Sequence, residues 1–200
     1  MRVDEAGVLW DVKSKDIQLL FKNPAKFWDG VKGIGKSAFM GRDDLKRIEI
    51  PDGVTVIADD AFFNCGFLRE VILPASLSTI KKRAFSWCEK LDNVVIPEGV
   101  TLLEQTFAGC ISLKNITLPE SLEKIGRETF WGCKSLREIR IPDKVATVGQ
   151  SAFADCDTLQ EVSLLKKVKF QSTTFENCGF MNLNFREDPE DNNDDESGLE

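Results

Sequence analysis

Apolar and polar residues alternate in short runs that recur every 22 or 23 positions along the chain. The runs read LKRIEIP (45–51), LREVILP (68–74), LDNVVIP (91–97), LKNITLP (113–119), LREIRIP (136–142) and LQEVSLL (159–165), with a weaker copy, MNLNF, at 181–185. The fourth and sixth positions of each run are apolar, and the third and fifth are mostly polar. That alternation predicts strands buried on one face only. Proline at 51, 74, 97, 119 and 142 ends the strand, because it lacks the ladder N–H and holds its predecessor extended.

A second apolar pair follows each run: Val54/Ile57, Leu77/Ile80, Val100/Leu103, Leu122/Ile125 and Val145/Val148. Then comes Phe with Cys three residues on, as Phe62–Cys65, Phe85–Cys88, Phe107–Cys110, Phe130–Cys133, Phe153–Cys156 and Phe175–Cys178, and Phe39 extends the Phe series forward. Spacings of three and four in this stretch predict one helical or 3₁₀ turn per unit. Self-similarity at this period means a solenoid, a stack of short units that bury little alone. Each coil supplies three inward columns: strand Leu/Ile, second-segment Val/Ile, and Phe/Cys. Both 22-residue intervals are read as losing one residue between the second apolar position and Phe, as from Leu103 to Phe107, which keeps the columns in register.

The pattern LREIRIPDKVATVGQSAFADC resembles the BspA-like leucine-rich-repeat family, known mainly from bacterial and protist surface proteins. The stretch VDEAGVLWDVKSKDIQLLFKNP resembles that family's entry module, a hairpin. Together the resemblance spans residues 3–185. It implies an α/β, right-handed leucine-rich-repeat solenoid or horseshoe of about seven coils, strand-rich with short helical or 3₁₀ turns. By family habit it implies adhesion or protein recognition. The expected organisation is a capping hairpin module over 1–30, a solenoid over 31–185 and a disordered acidic tail over 186–200.

Composition adjusts this picture in three ways. The net charge of −7 belongs to the tail, because residues 187–200 hold eight acids and no base, leaving the other 186 residues at +1. The tail has no hydrophobic period and reads as disordered. Histidine and tyrosine are absent, which removes Ser-His-Asp and Cys-His arrangements and His-based zinc motifs. No apolar run reaches the length of a membrane span, and the start MRVDEAGVLWDVKSK does not read as a secretory leader. The expected location is cytoplasmic as encoded, or cell surface or secreted for a processed form.

Several motifs have a plain structural reading. Gly30-Val31-Lys32-Gly33-Ile34-Gly35-Lys36-Ser37 matches the phosphate-binding expression G-x-x-x-x-G-K-[ST]. No strand core precedes it, and GVKGIGKSAF aligns with GVTVIADDAF (53–62) of the next coil, so its glycines are repeat positions. The six cysteines fall in one core column. A line of sulfurs cannot close a zinc tetrahedron, and inter-coil disulfides, though sterically allowed, are less expected than buried, reduced, inert thiols. Asn115-Ile116-Thr117 is a glycosylation sequon on an expected strand and reads as chance. Trp87 and Trp131, just after the Phe column, read either as exposed anchors or as rings folded over the turn.

The outward strand positions are the best binding candidates. Position three reads Arg47, Glu70, Asn93, Asn115, Glu138 and Glu161; position five reads Glu49, Ile72, Val95, Thr117, Arg140 and Ser163. Ile72 and Val95 form an exposed apolar pair on adjacent coils, ringed by Arg47, Glu49, Asn93 and Thr117, as at a small contact centre. The alternative is that β-branched residues simply suit strands. A basic strip (Lys46, Arg69, Lys114, Arg137) beside an acidic one (Asp52, Glu98, Glu120, Asp143) reads as balanced solvated surface. No nucleic-acid footprint is present. The function expected is a non-catalytic protein-interaction module, monomeric, without metal or cofactor. It would use Arg47, Glu49, Glu70, Ile72, Asn93, Val95, Asn115, Thr117, Glu138 and Arg140 to bind a protein partner. The alternative is a surface adhesin fragment binding matrix or glycan.

Overall fold

The computed structural model of the chain describes residues 1–179 and 181–187. It is a strand-rich leucine-rich-repeat solenoid with two parallel-stranded walls. One wall holds β4 (Arg47–Glu49), β6 (Glu70–Ile72), β8 (Asn93–Val95), β10 (Asn115–Thr117), β12 (Glu138–Arg140), β14 (Glu161–Leu165) and β16 (Asn182–Arg186). The other holds β2 (Val8–Trp10), β3 (Gly33–Ile34), β5 (Val56–Ile57), β7 (Thr79–Ile80), β9 (Leu102–Leu103), β11 (Lys124–Ile125), β13 (Thr147–Val148) and β15 (Lys169–Phe170). The register repeats coil by coil, with Arg47 opposite Glu70 and Asn93 opposite Asn115. Gly33 sits opposite Val56 and Ile34 opposite Ile57, which places the phosphate-loop look-alike on the second wall as a repeat segment.

The expected helical or 3₁₀ turn is not what forms. The second apolar pair ends on a two-residue strand, and the Phe segment is a run of turns. In that run the N–H groups alternate in direction. Those of Ala61, Phe63 and Cys65 reach carbonyls three residues back, at 3.3, 3.0 and 3.2 Å. Those of Asp60, Phe62 and Asn64 cross to Lys82, Ala84 and Ser86 of the next coil, at 3.1, 2.8 and 2.9 Å. A helix keeps every N–H within its own segment. Left-handed backbone at Asp60 (φ 57°) and Asn64 (φ 58°) turns alternate peptides outward and prevents helical propagation. The same alternation recurs at Arg83 and Trp87 and at Ser151 and Asp155.

The three inward columns are in register. Rings of Phe39, Phe62, Phe85, Phe107, Phe130, Phe153 and Phe175 stack face to face, with successive centroids 4.7 to 5.9 Å apart. All but Phe175 are fully buried. The two missing residues fall in different places. One lies between Leu103 and Phe107, and although Leu103 stays buried, the second-wall ladder is interrupted between β7 and β9. The other lies between Val168 and Phe170 rather than before Phe175, because Phe170 pairs with Val148. On the first wall the ladder stops between β10 and β12, and Ile116 there is only half-buried where its counterparts in β4, β6, β8, β12 and β14 are buried.

At the N-terminal end β1 (Arg2–Val3) pairs antiparallel with β2, and β2 joins the second wall alongside β3. The turn is organised by the Asp4 carboxylate, which accepts from the N–H groups of Ala6 and Val8 and from Trp10 Nε1, at 3.0, 2.9 and 2.8 Å. Those bonds, Trp10's first, hold its pKa below the ordinary carboxylate value. Helices α1 (Ser14–Lys22) and α2 (Pro24–Phe27) follow, and Phe27 caps the ring stack 6.2 Å from Phe39. At the other end Phe175, Cys178, Met181 and Leu183 are only partly buried. Most of the acidic tail, from residue 188 on, lies outside the described residues.

Truncating a mid-stack ring removes a stacked partner on both sides. Phe107→Ala and Phe130→Ala should each lower stability by about 3–5 kcal/mol, and Phe175→Ala by less. Denaturant unfolding of the three variants checks the order.

Candidate functional site

All ten sequence-predicted partner residues are exposed on the first wall, as the period-two rule requires. The structure does not bring them into one site. Glu70, Ile72, Asn93, Val95, Asn115 and Thr117 line a hollow of about 1040 Å³ across β6, β8 and β10. Arg47 and Glu49 instead line a separate hollow of about 480 Å³ against Leu20, Phe21 and Trp28 of the N-terminal helices. Glu138 lies in an adjoining hollow of about 640 Å³, which shares Lys114, Asn115 and Ser135 with the first. Arg140 faces none of these, because its guanidinium is held by Glu120 and Asp143.

The main hollow has an apolar centre and a polar surround. Val95 is 65% exposed and Ile72 37%. The ladder between β6 and β8 registers only the pair Glu70–Asn93, so Ile72 and Val95 stand where the two strands are no longer paired. Asn115 donates through Nδ2 to Asn93 Oδ1 at 2.6 Å, fixing both amides beside the apolar pair. This engages the asparagine of the sequon, which fills the whole of β10. Around the edge stand Arg69, Lys90, Asp92 and Lys114, with the Lys114 ammonium 3.2 Å from the Asp92 carboxylate, and Ser112 and Ser135. These six were absent from the sequence-based site. Arg69, Asp92 and Lys114 hold the second strand position, a strip that read as ordinary solvated surface, and Lys90, Ser112 and Ser135 stand two after Cys, where the sequence offered no signal.

The turn wall carries a second apolar feature. Trp87 is 39% exposed and meets Trp131 edge to face at 5.9 Å, although the two lie two coils apart. Gly109 makes this possible. Its φ is +75°, and a Cβ there would sit 2.8 Å from the Trp87 ring. The rings are thus folded over the intervening turn, and one edge remains in solvent.

The thiols do more than fill the core. Each Sγ donates to the Phe carbonyl of the coil before it: Cys65 to Phe39, Cys88 to Phe62, Cys110 to Phe85, Cys133 to Phe107, Cys156 to Phe130 and Cys178 to Phe153, at 3.0 to 3.4 Å. All six are free, five of them buried. Burial pushes the Cys65 and Cys110 thiols up to about 12, and raises Cys88 and Cys133 well above the ordinary value. Among the described residues no cluster of His, Cys, Asp or Glu is placed to hold a metal ion. No helix there is long and apolar enough to cross a membrane.

The model of the BspA-type leucine-rich-repeat region matches six copies over residues 23–105 and 101–194. The chain belongs to the BspA-type leucine-rich-repeat family. A leucine-rich cell surface protein of Faecalibacterium prausnitzii is similar to this BspA-type chain at 38% identity and a TM-score of 0.63, over 68% of this chain and 37% of the other. A leucine-rich-repeat protein of T. pallidum is similar at 30% identity and a TM-score of 0.66, over 70% of this chain and 66% of the other. The chain therefore spans just over a third of the first relative and about two thirds of the second. No curated protein matches it.

Gly109→Ala should displace Trp87 and strain the turn, at a cost of about 1–3 kcal/mol. A red shift in tryptophan emission with a lower unfolding midpoint checks this. The thiols set an alkaline limit. The folded pKa values of Cys65, Cys88, Cys110 and Cys133 lie above the unfolded value of 9.0, so below that pH these four are protonated in both states. Above it the unfolded chain ionises first and stability falls as pH rises toward about 12. Denaturant midpoints measured across this window should decline, and Cys110→Ala should reduce the slope by about 1.4 kcal/mol per pH unit.

Proposed function

We propose that this BspA-type solenoid is a non-catalytic protein-recognition module and that its contact centre is the hollow around Ile72 and Val95. The observation that carries this reading is the exposed apolar pair on two adjacent strands, flanked by the bonded Asn93 and Asn115 amides and a charged edge. A small apolar centre inside a polar rim is the anatomy of a protein-binding patch. Glu70 and Thr117 complete the inner ring. Arg47 and Glu49, in a separate hollow, Glu138, in the adjoining one, and Arg140, held by Glu120 and Asp143, are peripheral. The absence of histidine and the open shape of all three hollows favour binding over catalysis.

A second reading concerns location. The F. prausnitzii relative is described as a cell surface protein. That favours display of this chain at a cell surface, where the same hollow would act in adhesion.

The test compares the intact chain with the double variant Ile72→Asp/Val95→Asp. Both positions point away from the core, so the melting temperature should hold while a captured partner is lost. A partner retained by that variant, but lost by Trp87→Ala/Trp131→Ala, would move the contact to the turn wall and overturn the reading.

A further inference from the structure

The thiol column is uniform except at its last step. Five sulfurs lie sealed between coils, whereas Cys178, in the last Phe–Cys turn described, is half-buried, as are Phe175 and Met181. Its neighbour in the column is Cys156. The two turns that carry them are bonded side by side. Phe153 N–H donates to Thr174 O and Asp155 N–H to Glu176 O, both at 2.9 Å, and Asn177 Nδ2 donates to Asp155 Oδ1 at 2.9 Å. Phe153 and Phe175 stack at 5.5 Å, and each cysteine stands three residues after its Phe. Neighbouring strands are about 4.8 Å apart, inside the Cα range of about 4.4–6.8 Å that a disulfide spans.

We infer that Cys178 is a reactive thiol that closes a disulfide onto Cys156 under oxidation by a peroxide. The sulfur of Cys178 attacks one peroxide oxygen, the O–O bond breaks, and sulfenic acid and one water result. The sulfur of Cys156 then attacks the sulfenic sulfur. The S–S bond forms, and hydroxide leaves with the Cys156 proton as a second water. Two thiols lose two hydrogens in all, and peroxide is reduced to two waters.

The direction of attack follows from the surroundings. Cys156 is buried, and the contact with Cys178, then burial, raises its pKa. The same contact lowers that of Cys178, against burial and the nearby carboxylates of Asp155 and Asp157. The exposed sulfur is thus oxidised first and the buried one resolves it. The other adjacent pairs in the column offer no exposed member. The bond would tie the turn of Cys178 to the coil beneath it, a staple closed in an oxidising compartment and open in a reducing one.

The test uses the full chain, reduced and freed of reductant, with the uncharged reagent N-ethylmaleimide because of the two aspartates. Peptide mapping should show Cys178 alkylated on the order of 100-fold faster than the other five. Hydrogen peroxide on unblocked protein should give a Cys156–Cys178 linked peptide. Cys156→Ser should keep the fast alkylation but yield a Cys178 sulfenic acid trapped by dimedone. Cys178→Ser should form no disulfide. Alkylation of Cys178 at the rate of the buried five overturns the inference. So does a peroxide product that links other cysteines or leaves Cys156 free.

Discussion

A coil of 22 or 23 residues cannot satisfy its own backbone, and the structure depends on the next coil doing so. Alternate peptides of the turn wall cross to the neighbouring coil, and the two strand walls do the same. Only coils in register can make those bonds, which is why the inward side chains form columns. Rings stack because the backbones beside them are bonded at strand spacing. Thiols point at Phe carbonyls because those carbonyls, already used by a local N–H, keep a second lone pair facing the following coil.

The candidate site arises where this bonding lapses. β6 and β8 share one registered pair, and β10 and β12 share none. The larger hollow lies over the first lapse and a smaller one over the second. A continuous ladder holds outward side chains in even rows, whereas a lapse opens room between rows. Ile72 and Val95, which face out by strand alternation, border the room so opened. The C-terminal end follows the same logic: with no further coil described above it, Phe175 and Cys178 lose their cover.

The repeat made much of this legible. Strand positions, their inward and outward faces, the buried Phe column and the look-alike character of the Gly30–Ser37 motif all followed from period and alternation. The family followed from LREIRIPDKVATVGQSAFADC. The turn wall did not follow, because spacings of three and four fit a helix and a turn run equally. The difference lies in left-handed residues such as Asp60 and Trp87, which have no fixed residue type here. The second missing residue was misplaced for a related reason. Phe170 stands where other coils carry Ile, Leu or Val, and only its pairing with Val148 shows which position it fills.

What the sequence by itself determined was periodic: which side chains face in, where strands begin, and that Ile72 and Val95 face out. Those properties are set by backbone geometry that repeats in every coil. What only the tertiary structure decided was unequal between coils. The spread of the outward residues over more than one hollow, the tie between Arg140 and Glu120, the meeting of Trp87 with Trp131 across Gly109, and the exposure of one thiol among six are of this kind. Each depends on how two or three particular coils stack, and a repeat pattern averages that difference away.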